Sequence, residues 1–137
     1  MATTYNNLYL DLRTELRRAG DEEATQSARE LVCAAAAKTR EELVRDGSLY
    51  ASPEVEQSAR ELVKRHLAGE PVAYIIGEWE FYGLTLDISP DVLVPRWDTE
   101  TLAALAIDFI RPLPDGARVL DLCAGTGCLG IGIRHFV

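Results

Sequence analysis

The stretch Val119-Leu120-Asp121-Leu122-Cys123-Ala124-Gly125-Thr126-Gly127-Cys128 has the residue types and the spacing to do chemistry. A short apolar run reaches an acidic residue and passes through a glycine-containing turn. It then continues into small and apolar residues able to start a helix. A strand that ends in a tight turn and opens a helix is the phosphate- or nucleotide-binding corner of an α/β sheet. Gly125 and Gly127 lack a Cβ, so the backbone can turn sharply there and a ligand can come close. The helix beyond contributes unpaired N–H groups and a partial positive charge.

Spacing narrows the ligand. A dinucleotide site wants glycines in a G-x-G-x-x-G frame. Here Asp121, Cys123, Gly125 and Gly127 make an acidic-x-G-x-G-x-G frame with cysteine at the first glycine. This frame resembles motif I of the class I S-adenosylmethionine-dependent methyltransferases, in which the turn lies under the methionine and ribose part of the cofactor. A small side chain such as that of Cys123 is compatible with the first position if φ is negative there. The resemblance implies that Asp121, Cys123, Ala124, Gly125, Thr126 and Gly127 contact S-adenosyl-L-methionine. Asp121 would order the turn or reach the cofactor's ammonium end; without a ligand it reads as a strand-end acid capping backbone N–H groups.

The elements that must position this turn are legible upstream. Residues 4–69 read as four helices. Leu8, Leu12 and Leu16 recur every four residues in the first, from about Tyr5 to Ala19, and Gly20 stops it. The second follows Asp21-Glu22-Glu23 and carries Ala24, Ala28, Leu31, Val32 and Ala35 on one face. Thr39-Arg40-Glu41-Glu42 is a capping box that opens a short third helix ending at Gly47. Ser52 caps the fourth, with Pro53 at its first position and Val55, Ala59, Leu62, Val63 and Leu67 along one side. The segments Gln26–Val32 and Gln57–Val63 share the sequence QSARELV. Two copies are too few for a solenoid, so they read as two similar core-facing helices of one bundle. His66, beside Leu62 and Leu67, reads as a packed or surface histidine without a second metal ligand nearby.

From Trp79 to Ile88 the period changes to two, predicting a β-hairpin that pivots near Gly83. Asp91–Arg96 is extended and contains Pro95, which also restricts Val94. Asp98 or Thr99 is positioned to cap the next helix, with Leu102, Leu105, Ala106 and Phe109 as its apolar positions. Arg118–Leu122 reads as the first strand of a sheet and Cys128 onward as the first crossover helix. A lone parallel strand has no partner, so Val119, Leu120 and Leu122 would lie exposed. With Val137 as its last residue, the chain is expected to be the N-terminal part of a longer protein, with an incomplete sheet open to self-association.

Composition excludes several classes. The chain has 137 residues, 47% apolar and 26% charged, as in soluble globular proteins. Its net charge is −8 and both halves are acidic, so no basic face stands out for direct nucleic-acid binding. No apolar run approaches the ~20 residues of a membrane helix. Met1-Ala2-Thr3-Thr4-Tyr5 lacks the basic and apolar regions of a signal peptide. The three cysteines, Cys33, Cys123 and Cys128, show no zinc-ligand spacing and read as reduced thiols of a cytoplasmic protein.

Three separated motifs combine. Glu70-Pro71-Val72-Ala73-Tyr74-Ile75-Ile76-Gly77-Glu78-Trp79-Glu80-Phe81-Tyr82-Gly83-Leu84 is the first, Val92-Leu93-Val94-Pro95-Arg96-Trp97-Asp98-Thr99-Glu100 the second, and the glycine turn the third. In this order they resemble the HemK/PrmC family, the N5-glutamine methyltransferases of peptide chain release factors. The second departs from that family's Pro-Arg-Pro-Glu/Asp-Thr-Glu signature, with Trp97 where proline is usual. The resemblance implies an α+β chain: a helical substrate-docking bundle over residues 1–70, a β-hairpin linker over 71–90, and from 91 to 137 the first β-α unit of a class I, Rossmann-like methyltransferase domain. It implies methyl transfer from S-adenosyl-L-methionine to the glutamine side chain of the release factor's Gly-Gly-Gln loop. The family's catalytic Asn-Pro-Pro-Tyr motif is not in this sequence and is expected beyond Val137. No catalytic residue is therefore assigned, and the 137 residues alone are expected to be inactive. Arg96, Asp98 and Glu100 have a weaker claim to the site, against a structural loop and helix cap. Trp79, Phe81 and Tyr82 read as hairpin packing or as an aromatic partner patch. The alternative function is a non-catalytic helical protein-binding module, which has no reason to bind the cofactor.

Overall fold

A computed structural model describes residues 3–137. They fall into two compact units, one up to Ile76 and one from Gly77.

The first unit is helical. In α1 (Tyr5–Arg18) the Thr4 hydroxyl accepts from the Asn7 N–H at 3.2 Å, and Leu8, Leu12 and Leu16 are fully buried. Gly20 follows with φ +92°, a left-handed stop that glycine takes without a Cβ clash. The second helix, α2 (Ala24–Ala36), packs against α1, against α3 (Arg40–Arg45), and against α4 (Pro53–Leu67). Both halves of the expected capping box form: Thr39 Oγ1 accepts from Glu42 N–H at 3.1 Å, and Glu42 Oε2 accepts from Thr39 N–H at 2.9 Å. Ser52 Oγ accepts from Val55 N–H at 3.3 Å, with Pro53 at the first helical position. His66 ties the end of α4 to the start of α2, with Nδ1 2.9 Å from Glu70 O and Nε2 3.3 Å from Asp21 Oδ2.

Two details differ from expectation. Val72–Ile76 forms a further short helix, α5, where the sequence reading placed the start of the hairpin linker. Pro71 begins it, its carbonyl accepting from Tyr74 and Ile75 N–H groups at 3.0 and 3.1 Å. Leu67, assigned to the core face of α4, is 41% exposed, because the helix ends there and turns away at Gly69.

Cys33 is buried in α2, and burial pushes its thiol up from 9.0 to about 11. Thiolate is the form that alkylates. Iodoacetamide at about pH 8.5 is therefore expected to modify exposed Cys123 and to spare Cys33 until the chain is unfolded. The folded value exceeds the unfolded one, so Cys33's stabilising contribution is complete below pH 9.0 and is lost as pH rises from there through about 11. Peptide mapping after timed alkylation checks the first expectation, and thermal unfolding across that alkaline window checks the second.

The second unit begins with the expected hairpin. Strands β1 (Glu78–Phe81) and β2 (Leu84–Asp87) pair antiparallel, with Trp79 opposite Leu86 and Phe81 opposite Leu84. Tyr82 and Gly83 form the two-residue turn with φ +49° and +77°, the pattern of a type I′ turn that matches strand twist. Helix α6 (Trp97–Ile110) and helix α7 (Cys128–Phe136) follow and pack on each other. Phe81, Ala103 and Cys128 form the buried centre, with Tyr82, Leu86 and Leu129 packed around them. Val137 caps the far end of α7, its N–H donating to Ile133 O at 3.0 Å, and its side chain is exposed.

Three expectations are corrected here. Helix α6 is capped by the backbone of Arg96 and starts at Trp97, so neither Asp98 nor Thr99 is its N-cap. Both fall inside the first turn, where Asp98 and Glu100 suit the positive helix end. The buried positions of α6 are Ala103 and Ile107, while Leu102, Leu105 and Phe109 are exposed. Finally, residues 118–122 adopt no strand: the one sheet among the described residues is β1-β2. A strand is held by its ladder partners, and this segment has none among the described residues. Val119, Leu120 and Leu122 are exposed, as expected of an apolar segment without a pairing partner.

Candidate functional site

The turn between Asp121 and Cys128 is built on left-handed backbone. Cys123, Gly125 and Gly127 have φ of +60°, +58° and +74°. Gly127 is the N-cap of α7 and offers no side chain to the first helical turn. Two neighbours replace it. Thr126 Oγ1 accepts from the Cys128 N–H at 3.2 Å, and Asp121 Oδ2 accepts from the Gly130 N–H at 3.1 Å. These satisfy N–H groups that a helix start leaves without intrahelical partners. Asp121 thus locks the segment before the turn to the third residue of the helix after it. A Cβ at Gly130 would lie 3.3 Å from Asp121 Oδ2, so the carboxylate would have to shift by a few tenths of an ångström. Sequence reading missed Gly130; its position three residues after Gly127 was the available signal.

The turn sits on a fixed base. Cys128 is buried against Phe81 and Ala103, and Phe81 Cε1 lies 3.7 Å from where a Gly132 Cβ would stand. Glu100 Oε1 accepts from the Tyr82 N–H at 2.9 Å, joining α6 to the hairpin turn. Tyr82 packs edge-on against Phe136, with ring centroids 5.3 Å apart at 87°. Hairpin, α6 and α7 therefore hold one another. Phe81 is buried and Tyr82 is used in packing. Of Arg96, Asp98 and Glu100, only Glu100 is drawn into this base, as a structural acceptor. Val137, at the opposite end of α7 from the turn, takes no part in it.

Asp121, Thr126 and Gly127 are half-buried, whereas Cys123, Ala124 and Gly125 are exposed. Nothing lies within 4 Å of a Cβ built on Gly125, so the turn presents open space there beside the positive end of α7. A small-residue turn with room over its backbone and an electropositive helix start fits a ligand that approaches closely and carries a polar, partly anionic end.

Cys123 corrects the expectation of a negative φ at the first glycine position. The tight turn needs left-handed backbone there, and cysteine adopts it at a cost of ~1–2 kcal/mol relative to an unstrained residue. Cys123→Gly is expected to stabilise this unit by about 1 kcal/mol, the strain relieved less glycine's extra unfolded-state entropy. Urea unfolding of the two proteins measures the difference.

Residues 8–77 match the family model described as the PrmC N-terminal domain. The release factor glutamine methyltransferase of Vibrio cholerae serotype O1 is 39% identical over 119 residues, covering 87% of this chain and 41% of that protein. The corresponding protein of Aliivibrio fischeri is 38% identical over 114 residues, covering 83% and 39%. That of Bordetella pertussis is 43% identical over 83 residues, covering 59% and 30%. The chain spans about two fifths of the length of the first two relatives.

Proposed function

The chain belongs to the PrmC family, and from that premise we propose that it supplies the helical domain and the cofactor corner of a release factor glutamine methyltransferase. The reaction would methylate the side-chain nitrogen of the glutamine in a Gly-Gly-Gln motif of peptide chain release factors. The match of residues 8–77 to the PrmC N-terminal domain carries this reading. The form of the glycine turn supports it.

When bound, S-adenosyl-L-methionine supplies an electrophilic methyl group. The residues that would hold it are Asp121, Cys123, Ala124, Gly125, Thr126 and Gly127. Gly125 leaves room for close approach, and Asp121 and Thr126 keep the first turn of α7 in place. An amide nitrogen is a poor nucleophile, so the rate must come from orientation and from hydrogen bonds that raise its electron density. Those bonds would fall to the family's Asn-Pro-Pro-Tyr motif, which these 137 residues do not hold. We therefore assign these residues a docking and cofactor-positioning role in a cytoplasmic enzyme. Leu102, Leu105 and Phe109 on α6 are exposed, as are Val119, Leu120 and Leu122.

The test is methyl transfer to a purified release factor, with the 137 residues alone and with a polypeptide of the relatives' full length. Activity and calorimetric cofactor binding are expected only for the longer protein. Cofactor binding by neither would overturn the methyltransferase reading and favour a helical docking module without chemistry.

A further inference from the structure

A second concave site lies in the helical unit, away from the glycine turn in sequence and in unit. The N-terminal segment runs beside the loop after α3: the Tyr5 N–H donates to Leu49 O at 3.0 Å and the Asn6 N–H to Gly47 O at 2.9 Å. This pairing closes one wall of a cavity of about 640 Å³. Tyr5, Tyr9, Leu43 and Val44 give it an apolar lining, and Arg29 of α2 gives it a charge. Val44 is 80% exposed at the rim, although it follows buried Leu43.

The arginines here are unusual. Arg29 Nε is occluded and has no hydrogen-bond partner among the described residues, while the side chain as a whole is 39% exposed at the cavity. The Glu30 carboxylate oxygen 3.8 Å from it is held by Arg40 Nε at 2.8 Å, so it is committed elsewhere. Arg13 Nε is likewise buried and unbonded among the described residues, and its guanidinium lies 5.4 Å from the centre of the Tyr9 ring that lines the cavity. Lys38 lies 5.3 Å from the centre of the Tyr5 ring, but Asp46 holds it at 2.8 Å and it does not line the cavity. In a chain of net charge −8, the cavity thus carries one cationic side chain, Arg29, with an unused donor beside an aromatic lining. A buried donor without a partner is costly, and a carboxylate is the acceptor that satisfies a guanidinium most strongly.

We propose that this cavity docks a segment of a protein partner that presents a carboxylate beside an aromatic side chain. A bare anion would leave the rings of Tyr5 and Tyr9 and the exposed Val44 without an apolar partner. A purely apolar group would leave the Arg29 donor unmet. The volume falls in the ~300–1,000 Å³ range of sites that enclose a ligand. This site stands independently of methyl transfer.

The test is a two-dimensional NMR titration of the 137-residue chain with three blocked peptides: acetyl-Gly-Glu-Phe-amide, acetyl-Gly-Gln-Phe-amide and acetyl-Gly-Glu-Gly-amide. The first is expected to give saturable shifts at Tyr5, Tyr9, Val44 and Gly47. The two controls are expected to bind about tenfold more weakly, as loss of a charged hydrogen bond or of a buried ring requires. Arg29→Met should weaken the first peptide to the level of the glutamine control. Val44→Glu, a change at an exposed rim position that leaves the core untouched, should weaken it as well through charge repulsion. Equal affinity for all three peptides, shifts at other residues, no saturation below about 10 mM, or no effect of either substitution would each overturn the proposal.

Discussion

In a polypeptide of the relatives' length, Gly125→Val is expected to weaken cofactor binding by at least about 100-fold, or ~2.8 kcal/mol. Two effects combine. A β-branched residue at φ +58° is strained by ~1–3 kcal/mol, and its methyl groups fill the space that the turn leaves open. Gly127→Ala separates them. At φ +74° it carries similar backbone strain, but its Cβ would meet only Ile131, with Cδ1 at an ordinary 3.6 Å, at the helix start. Gly127→Ala should therefore lower stability by ~1–2 kcal/mol with a much smaller loss of affinity. Calorimetric titration of S-adenosylmethionine, read beside urea unfolding of each variant, distinguishes the cases. Unchanged affinity in Gly125→Val would remove the turn from the cofactor site.

Leu12→Ala carries the largest expected effect on stability. Leu12 is fully buried at the middle of α1, between Leu8 and Leu16 and within the cluster that includes Leu31, Val32 and Val63. Removing a buried leucine side chain loses its transfer free energy and leaves a cavity, ~3–5 kcal/mol together. Against a typical total of ~5–15 kcal/mol this puts the helical unit near its unfolding threshold. Leu67→Ala is the contrast: it sits at a core-type position by periodicity but is 41% exposed, and should cost below about 1 kcal/mol. Equal losses in urea unfolding would contradict the burial that separates the two residues.

Local signals determine the helical unit. Thr39 with Glu42, Ser52 with Pro53, and Gly20 each act within one helical turn, so their chemistry is complete in a few adjacent residues. Leu8, Leu12 and Leu16 fix one face of α1 because the other positions, Tyr9 and Leu10 apart, are mostly polar. The hairpin is equally local, since Tyr82-Gly83 sets both its turn and its register. The glycine turn can be located, and the frame of its glycines compared with a known motif, because that information is spacing.

The remaining features depend on contacts between distant residues. The repeated QSARELV segments show this most directly. In α2, Ser27, Ala28, Leu31 and Val32 are all buried; in α4, Ala59 and Val63 are buried but Ser58 is exposed and Leu62 only half-buried. Identical residues receive different burial because α2 is surrounded by α1, α3, α4 and α5, whereas α4 contacts fewer elements. In α6, apolar residues occupy more than one face, so periodicity alone could not choose Ala103 and Ile107 over Leu102 and Leu105. Phe81 and α7 made that choice by packing. Residues 118–122 have the composition of a strand, yet hydrogen bonds of a ladder come from a partner and cannot be supplied by composition. Asp121 bonds Gly130 and Cys123 is held at positive φ for the same reason: the closed turn, not the residue's own preference, sets the geometry.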